Sequence, residues 1–369
     1  MSEGRRTEHV LVTGSSGLIG SAAVERLCGE GVRVTGIDND GRADYFGPAA
    51  STAGSRDRLR RACPGFTHRT LDVRDRAGVD RLVAGGGFDA VLHTAAQPSH
   101  DLAAARPFDD FDVNAGGTLN LLEACRRHTP HASFVLFSTN KVYGDGVNRL
   151  DLEETRTRIR YADPAYAQGV GEAFPVDRCL HSLFGCSKLA ADVMTQEYGR
   201  NFGMATAVLR GGCLTGPGHA AVEAHGFLAH LVRTAARGGA YTVFGHGGKQ
   251  VRDQLHAEDA VDAAVRLMRR PRPGAVYNLG GGPENAASLL ELVELIDRLG
   301  GGRPELVFDP VPRVGDHACW VSDTAALRRD TGWRVTRSLD AILREMIENA
   351  RRRPVVVRVA PREPAQRAR

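Results

Sequence analysis

Short β-branched runs alternate with helical patterns along the first two-thirds of the chain. Runs at 9–13, 33–38, 67–71, 89–94, 133–138 and 205–209 read as strands. The stretches near 17–29, 74–84, 107–128 and 184–202 read as helices between them. That alternation predicts an α/β fold: a Rossmann-type, doubly wound parallel sheet covered on both faces. In 113–125 the helical period places Leu119, Leu122 and Cys125 on one core-facing stripe. Asn114 stands out there as a polar residue at the helix start, on the side where a cofactor would lie.

From about residue 210 the pattern loosens. Strand-like pieces at 240–244, 275–279 and 305–308 mix with helices at 226–237, 257–269, 288–299 and 338–350. The expected organisation is a dinucleotide-binding domain over 1–210 and a smaller C-terminal substrate-binding lobe over 211–350, some of whose elements return to the first domain. Residues 351–369 form a basic tail. Ligands of doubly wound sheets bind beyond the carboxyl ends of the strands, so such a lobe would close over the substrate.

The sharpest local signal is at the first strand-to-helix junction, His9-Val-Leu-Val-Thr-Gly-Ser-Ser-Gly-Leu-Ile-Gly20. Gly14 permits the tight turn, Gly17 lets the backbone approach a pyrophosphate, and Gly20 lets helix and strand pack closely. Ser16, Leu18 and Ile19 complete the loop, and free N–H groups at the helix start would face the phosphates. Asp38, eighteen positions after Gly20, closes the second strand beside Asn39. Its carboxylate would accept hydrogen bonds from ribose hydroxyls and repel a 2′-phosphate, which points to NAD rather than NADP.

Composition narrows the partners. Hydrophobic residues make up 42% and charged residues 25% of the 369 positions, an ordinary balance for a globular enzyme. No apolar run is long enough to span a membrane, and Met1–Glu8 lacks an apolar signal core, which points to the cytoplasm. The seven cysteines are scattered without a C-x-x-C pair, and no histidine spacing suggests a metal site. The formal charge is +4, but residues 351–369 contribute +6, so the remaining chain carries −2. A nucleic-acid partner would need a basic face on the folded body, so none is expected.

Further strings extend the picture. Ser138-Thr-Asn-Lys-Val-Tyr-Gly-Asp145 ends the fifth strand, and Lys188 follows Thr139 by forty-nine residues in His181-Ser-Leu-Phe-Gly-Cys-Ser-Lys188. Leu71-Asp72-Val73, His93-Thr94-Ala95-Ala96, Arg252-Asp253, Tyr277-Asn-Leu-Gly280 and Arg313-Val-Gly-Asp316 add to them. Over residues 8–350 the chain resembles the extended short-chain dehydrogenase/reductases of the nucleotide-sugar epimerase and dehydratase group. Within it, Gly116-Gly-Thr-Leu-Asn-Leu-Leu-Glu-Ala124, Gly248-Lys-Gln-Val-Arg-Asp253, the two strings around Thr139 and Lys188, and the long insertion between them are most similar to the CDP-paratose (tyvelose) 2-epimerase family.

The resemblance implies an isomerase. Hydride leaves a sugar carbon for NAD while a base takes the hydroxyl proton, and the flat ketone receives the hydride back on its other face. In the 2-epimerase relatives the carbon is C2 of a CDP-3,6-dideoxyhexose. Thr139 would hydrogen-bond the reacting hydroxyl, and Lys188 would hold the nicotinamide ribose and lower a neighbouring base's pKa. Asp72, Val73, Thr94, Ala95, Ala96 and Asn114 would line the cofactor. Gln97, His100, Asn140, Arg252 and Arg313 would face a nucleotide-sugar substrate, a CDP-hexose being favoured. Relatives dimerise through two long helices, here near 107–128 and 184–202. The Asp-Glu pair that serves water elimination in the 4,6-dehydratases is replaced by Asn140-Lys141, which argues against dehydration.

One position departs from the family. The usual base is a tyrosine four residues before the lysine, and here that residue is Phe184. Three readings stand open. A substitute acts as base, with His181, Cys186 and Lys141 nearby in sequence; Tyr161 or Tyr166 reaches in from the insertion; or the chain binds NAD without hydride transfer. Intact Thr139, Lys188 and glycine loop favour a substitute, with His181 equally readable as a residue at the helix start and Cys186 as a small packed residue. Epimerisation at another carbon, or of another nucleotide sugar or nucleoside, is the alternative activity.

Overall fold

In the computed structural model, which describes residues 7–219 and 226–352, seven strands form one parallel sheet. They are β1 (His9–Thr13), β2 (Arg33–Ile37), β3 (Phe66–Arg69), β4 (Ala90–His93), β5 (Ser133–Thr139), β6 (Thr206–Gly211) and β7 (Ala275–Leu279). The order across the sheet is β7-β6-β5-β4-β1-β2-β3, every neighbouring pair parallel. The order reverses between β1 and β4, and that switch point is where a doubly wound sheet opens a crevice at its carboxyl edge. β1 is buried along its whole length. One apolar cluster covers each face, with Val10, Val12 and Leu92 on one side and Leu11, Val91 and Leu136 on the other, as the two-residue period of a strand requires.

Helices α1 (Leu18–Gly29), α2 (Arg76–Gly86), α3 (Gly117–His128), α4 (Ser182–Phe202) and α5 (Ala257–Arg269) flank the sheet. The single helix expected over 107–128 is divided. Pro107–Phe111 and α3 are joined by one wide turn over Asp112–Gly116, and such turns often mark functional sites. Leu119 corrects the expected stripe: it is exposed, while Leu121, Leu122 and Cys125 are buried.

The chain crosses the boundary expected at 210. β7 pairs with β6 at the sheet edge, and α5 packs in the same apolar cluster as α1. The smaller lobe proper combines helices Phe227–Ala236, Leu289–Arg298 and Leu339–Arg352 with the parallel strand pair Ala240–Phe244 and Glu305–Asp309. Ser288 and Glu291 close a reciprocal capping box at the start of the middle helix. The insertion after β5 forms a hairpin, Leu152–Glu154 with Ile159–Tyr161, and Tyr143, Val147 and Val170 of this region pack around Trp320. Most of the basic tail, residues 353–369, and the segment 1–6 lie outside the described residues. No helix among the described residues is long and apolar enough to cross a membrane, and no His/Cys/Asp/Glu group there could hold a metal ion.

Candidate active site

A cavity of about 920 Å³ runs along the carboxyl edge of the sheet, from the loops after β1, β2 and β3 to the smaller lobe. Its first end is the glycine loop. Gly14 has φ +64°, and a Cβ there would lie 2.8 Å from the Ala95 nitrogen. A Cβ on Gly20 would lie 2.1 Å from the Gly14 carbonyl oxygen. Gly20 thus seats α1 on the turn without itself lining the cavity, while Gly14 and Gly17 do line it. The Ser16 N–H donates to Asp38 Oδ2 (3.0 Å), and the Asp40 N–H donates to Asp38 Oδ1 (2.8 Å). The carboxylate is thereby anchored at the mouth of the loop. Asn39 Nδ2 donates to Asp72 Oδ2 (2.9 Å). Burial alone would raise the Asp72 carboxyl; the Arg74 guanidinium and N–H outweigh it and hold it below its usual range. Leu18, Ile19, Val73, Thr94, Ala95 and Ala96 continue the wall, as expected. A glycine turn that a Cβ would block, beside an acceptor carboxylate, fits NAD.

At the middle of the cavity stand Thr139, Asn140, Lys141, Phe184, Lys188 and His100. Lys188 is buried and its Nζ donates to the Phe137 carbonyl (2.8 Å). Burial pushes its pKa down to about 8, against the opposing pull of Asp192 and Asp110. Thr139 Oγ1 accepts the Lys141 N–H (3.2 Å), which fixes the hydroxyl at the end of β5. The Phe184 ring meets His100 edge-on, with centroids 5.0 Å apart. His100 Nδ1 lies 2.8 Å from Ser182 Oγ, which also accepts the Gly185 N–H at the start of α4 (3.3 Å). Burial above all, then Lys141, pushes the His100 pKa down to about 3, Asp316 opposing and Arg313 adding. The imidazole is neutral at pH 7.

The far end is cationic. Asp316 Oδ1 accepts from Lys141 Nζ (3.1 Å) and Arg252 Nη2 (2.5 Å). Burial would raise this carboxyl, but Arg252 and Lys141 hold it well below the usual range. Two cations on one carboxylate leave a net positive charge beside Arg313, which lies over the Phe244 ring at 4.3 Å. Among described residues the cavity wall holds seven basic side chains (Arg42, Arg58, Lys141, Lys188, Arg233, Arg252, Arg313) and three acidic ones (Asp38, Asp72, Asp316). A cleft of that sign draws polyanions, and guanidinium forks match phosphate oxygens.

Several expected site residues are elsewhere. Asn114 and Gln97 are fully enclosed behind the wall and saturated by protein. Asn114 Nδ2 donates to the Gln97 carbonyl, Asp110 and Ser187, and its Oδ1 accepts the Gln97 N–H. Gln97 Nε2 donates to Asp110 and to the Ser99 carbonyl. Both brace the loop after β4 against α4 rather than meet a ligand. His181 is outside the cavity, its Nε2 2.9 Å from the Val142 carbonyl oxygen. Cys186 is exposed on the outer side of α4. Tyr161 donates to the Cys319 carbonyl (2.9 Å), and neither it nor Tyr166 reaches the cavity. Tyr143 donates to Asn278 and accepts from Arg210, turned away into the core. Of the tyrosines lining the cavity, Tyr45 lies beside Arg106 near Asp72 and Tyr241 beside His230 in the smaller lobe. Arg42, Arg233 and Asp316 were not singled out from sequence. Asp316 alone had a signal, in the Arg313-Val-Gly-Asp316 string.

The chain belongs to the NAD dependent epimerase/dehydratase family, whose model matches residues 10–280. A CDP-paratose 2-epimerase of Salmonella typhi is 32% identical over 335 residues, covering 88% of this chain and 94% of that protein. A dTDP-glucose 4,6-dehydratase of Neisseria meningitidis is 27% identical, with 92% of each chain covered. Among solved structures, the UDP-glucose 4-epimerase of Thermus thermophilus in complex with NAD superposes with a TM-score of 0.74 at 27% identity, over 93% of this chain and 99% of that one. The α/β fold, the family and its cofactor therefore agree with the sequence reading.

Proposed function

We propose that this chain is a nucleotide-sugar epimerase that inverts one sugar carbon through a transient ketone, with C2 of a CDP-hexose as the preferred site. The observation that carries the reading is one continuous cavity in which Thr139 and Lys188 stand between a dinucleotide cradle and a second, cationic end. NAD, bound by Gly14, Gly17, Asp38 and Lys188, supplies an acceptor that holds a hydride and gives it back. The chain's own residues do the rest. Arg252 and Arg313 hold the diphosphate, Thr139 fixes the reacting hydroxyl, and the buried Lys188 ammonium favours developing negative charge nearby.

Two features support epimerisation over elimination. Asn140 carries no ionisable group, and Lys141 is committed to Asp316 and to the Gly315 carbonyl (3.0 Å), so no acid–base pair follows Thr139. The 32% similarity to a CDP-paratose 2-epimerase supports the choice of carbon and nucleotide. The test is direct: incubated with CDP-paratose, the protein yields the 2-epimer by NMR without net change in NAD. No product while the NAD-loaded protein is intact, or a 4-keto-6-deoxy product from dTDP-glucose in a parallel incubation, would reject the proposal.

The protein also works as a homodimer on this reading. Phe111, Leu119, Leu183 and Val193 are exposed along Pro107–Phe111, α3 and α4, an apolar strip that a second copy would cover. Sedimentation of Val193→Asp as a monomer, against a wild-type dimer, is the expected result.

A further inference from the structure

We infer that His100 takes the place of the missing phenol: its Nε2 receives the proton from the sugar hydroxyl and returns it, with Ser182 and Phe184 positioning the ring. This rests on the epimerase reading. Phe184 occupies the position of the usual base and cannot bind a proton. His181, Tyr143, Tyr161 and Tyr166 do not line the cavity, and the two tyrosines that do lie at its ends. Burial lowers the Lys141 pKa, Asp316 opposing, but its Nζ is already engaged as a donor to Asp316 Oδ1 (3.1 Å) and to the Gly315 carbonyl (3.0 Å). Of the three histidines lining the cavity, His219 is beside Arg42 and Arg233 and His230 packs on Tyr241 in the smaller lobe, whereas His100 packs directly on the ring that replaced the phenol.

Its orientation suits the task. Nδ1 lies against Ser182 Oγ, while Nε2 has no hydrogen-bond partner among the described residues. Ser182 adopts φ +59°, a conformation that costs a non-glycine residue energy and is found where surroundings over-determine a site. With Nδ1–H donating to Ser182 Oγ, the Nε2 lone pair is left for the substrate. The step balances: the O–H bond breaks and its proton goes to Nε2, the C–H pair leaves the same carbon as hydride to the NAD oxidant, and the C=O bond forms. The reverse step restores both on the other face. The groups that face His100 electrostatically are Lys141, Asp316 and Arg313. A bound nucleoside diphosphate offsets the two cations, so binding raises the basicity of the ring toward what the reaction needs.

The experiment uses the NAD-loaded wild type, H100Q and H100Q/F184Y with CDP-paratose, UDP-glucose, dTDP-glucose and GDP-mannose as probes. H100Q should lose about 100-fold or more in kcat while its affinities for NAD and CDP stay unchanged. Adding F184Y to it should recover activity about tenfold or more, because a phenol returns at the family's own position. A readout independent of turnover is the ¹⁵N NMR signature of the His100 ring, assigned by its absence in H100Q: an Nδ1–H tautomer is expected, with the ring titrating at higher pH once CDP is bound. An H100Q enzyme that keeps most of its kcat, or an Nε2–H tautomer, overturns the proposal. If the wild type turns over none of the four sugars, the epimerase reading fails instead, and the tautomer still decides the role of His100.

Discussion

The cradle end of the cavity is built from sequence neighbours, Gly14 to Gly20 and Asp38 to Asp72, and shaped by backbone. The sugar end gathers His100, Thr139, Lys141, Phe184, Arg252 and Asp316 from segments spread over 216 positions, and is shaped by charge. The first end tolerates almost no added volume, since a Cβ at Gly20 would strike a backbone oxygen. The second tolerates a change of the reacting group itself. On the proposed reading, a phenylalanine can stand where the family keeps its base because His100 lies against that ring. On that reading the cofactor end is held rigid while the proton-handling group has moved.

Three perturbations sharpen the contrast. Gly20→Ala should do the most harm: the clash with Gly14 cannot be relieved by a side-chain rotation, so purified protein should carry no NAD and show a strongly lowered Tm. Cofactor content and a thermal melt measure both. Asp316→Asn comes next. It leaves Lys141 and Arg252 facing each other without their shared carboxylate, at a cost of about 3 kcal/mol for breaking a largely buried pair. Added CDP should restore part of that stability by supplying phosphate charge, whereas NAD should not; chemical denaturation with each ligand separates the two ends.

The smallest effect is in pH. His93 lies beneath the cradle with both ring nitrogens engaged, Nδ1 by Thr13 and Nε2 by Thr118. Burial, with Lys188 adding, pushes its pKa down to about 3 from 6.5. His100 is equally depressed but has one nitrogen open. Between pH 6.5 and 3 the unfolded chain binds protons that the folded chain refuses. Stability is therefore full above about pH 6.5 and falls as the pH drops toward 3. Melts across this window should show CDP flattening the slope in the wild type and having little such effect in H100Q, while His93→Gln flattens it without ligand.

The sheet strands, the glycine loop and Asp38 were legible because their signals are local: period, turn chemistry and one spacing. Thr139, Lys188, Arg252 and Arg313 were legible through the family strings and do line the cavity. Asn114 and Gln97 misled for a physical reason. A buried amide that braces two loops has the same sequence look as one that faces a ligand, and only the hydrogen-bond partners separate them. The wide turn at Asp112–Gly116 and the exposure of Leu119 were hidden because a helical period carries no mark of one extra residue per turn. The meeting of His100, Ser182 and Phe184 was hidden most deeply. It joins a loop after β4 to the start of α4 across 82 positions, and no spacing along the chain encodes such a contact.

The central claim is that hydride leaves and re-enters a nucleotide sugar here although position 184 holds a phenylalanine. Single-turnover mixing of the NAD-loaded protein with CDP-paratose tests it most directly, followed by the reduced-nicotinamide absorbance and by NMR of the sugar. The account predicts a transient rise and decay of that absorbance together with accumulation of the 2-epimer. Neither a transient nor an epimer with CDP-paratose or with UDP-, dTDP- and GDP-hexoses, from protein shown to hold NAD, would contradict it.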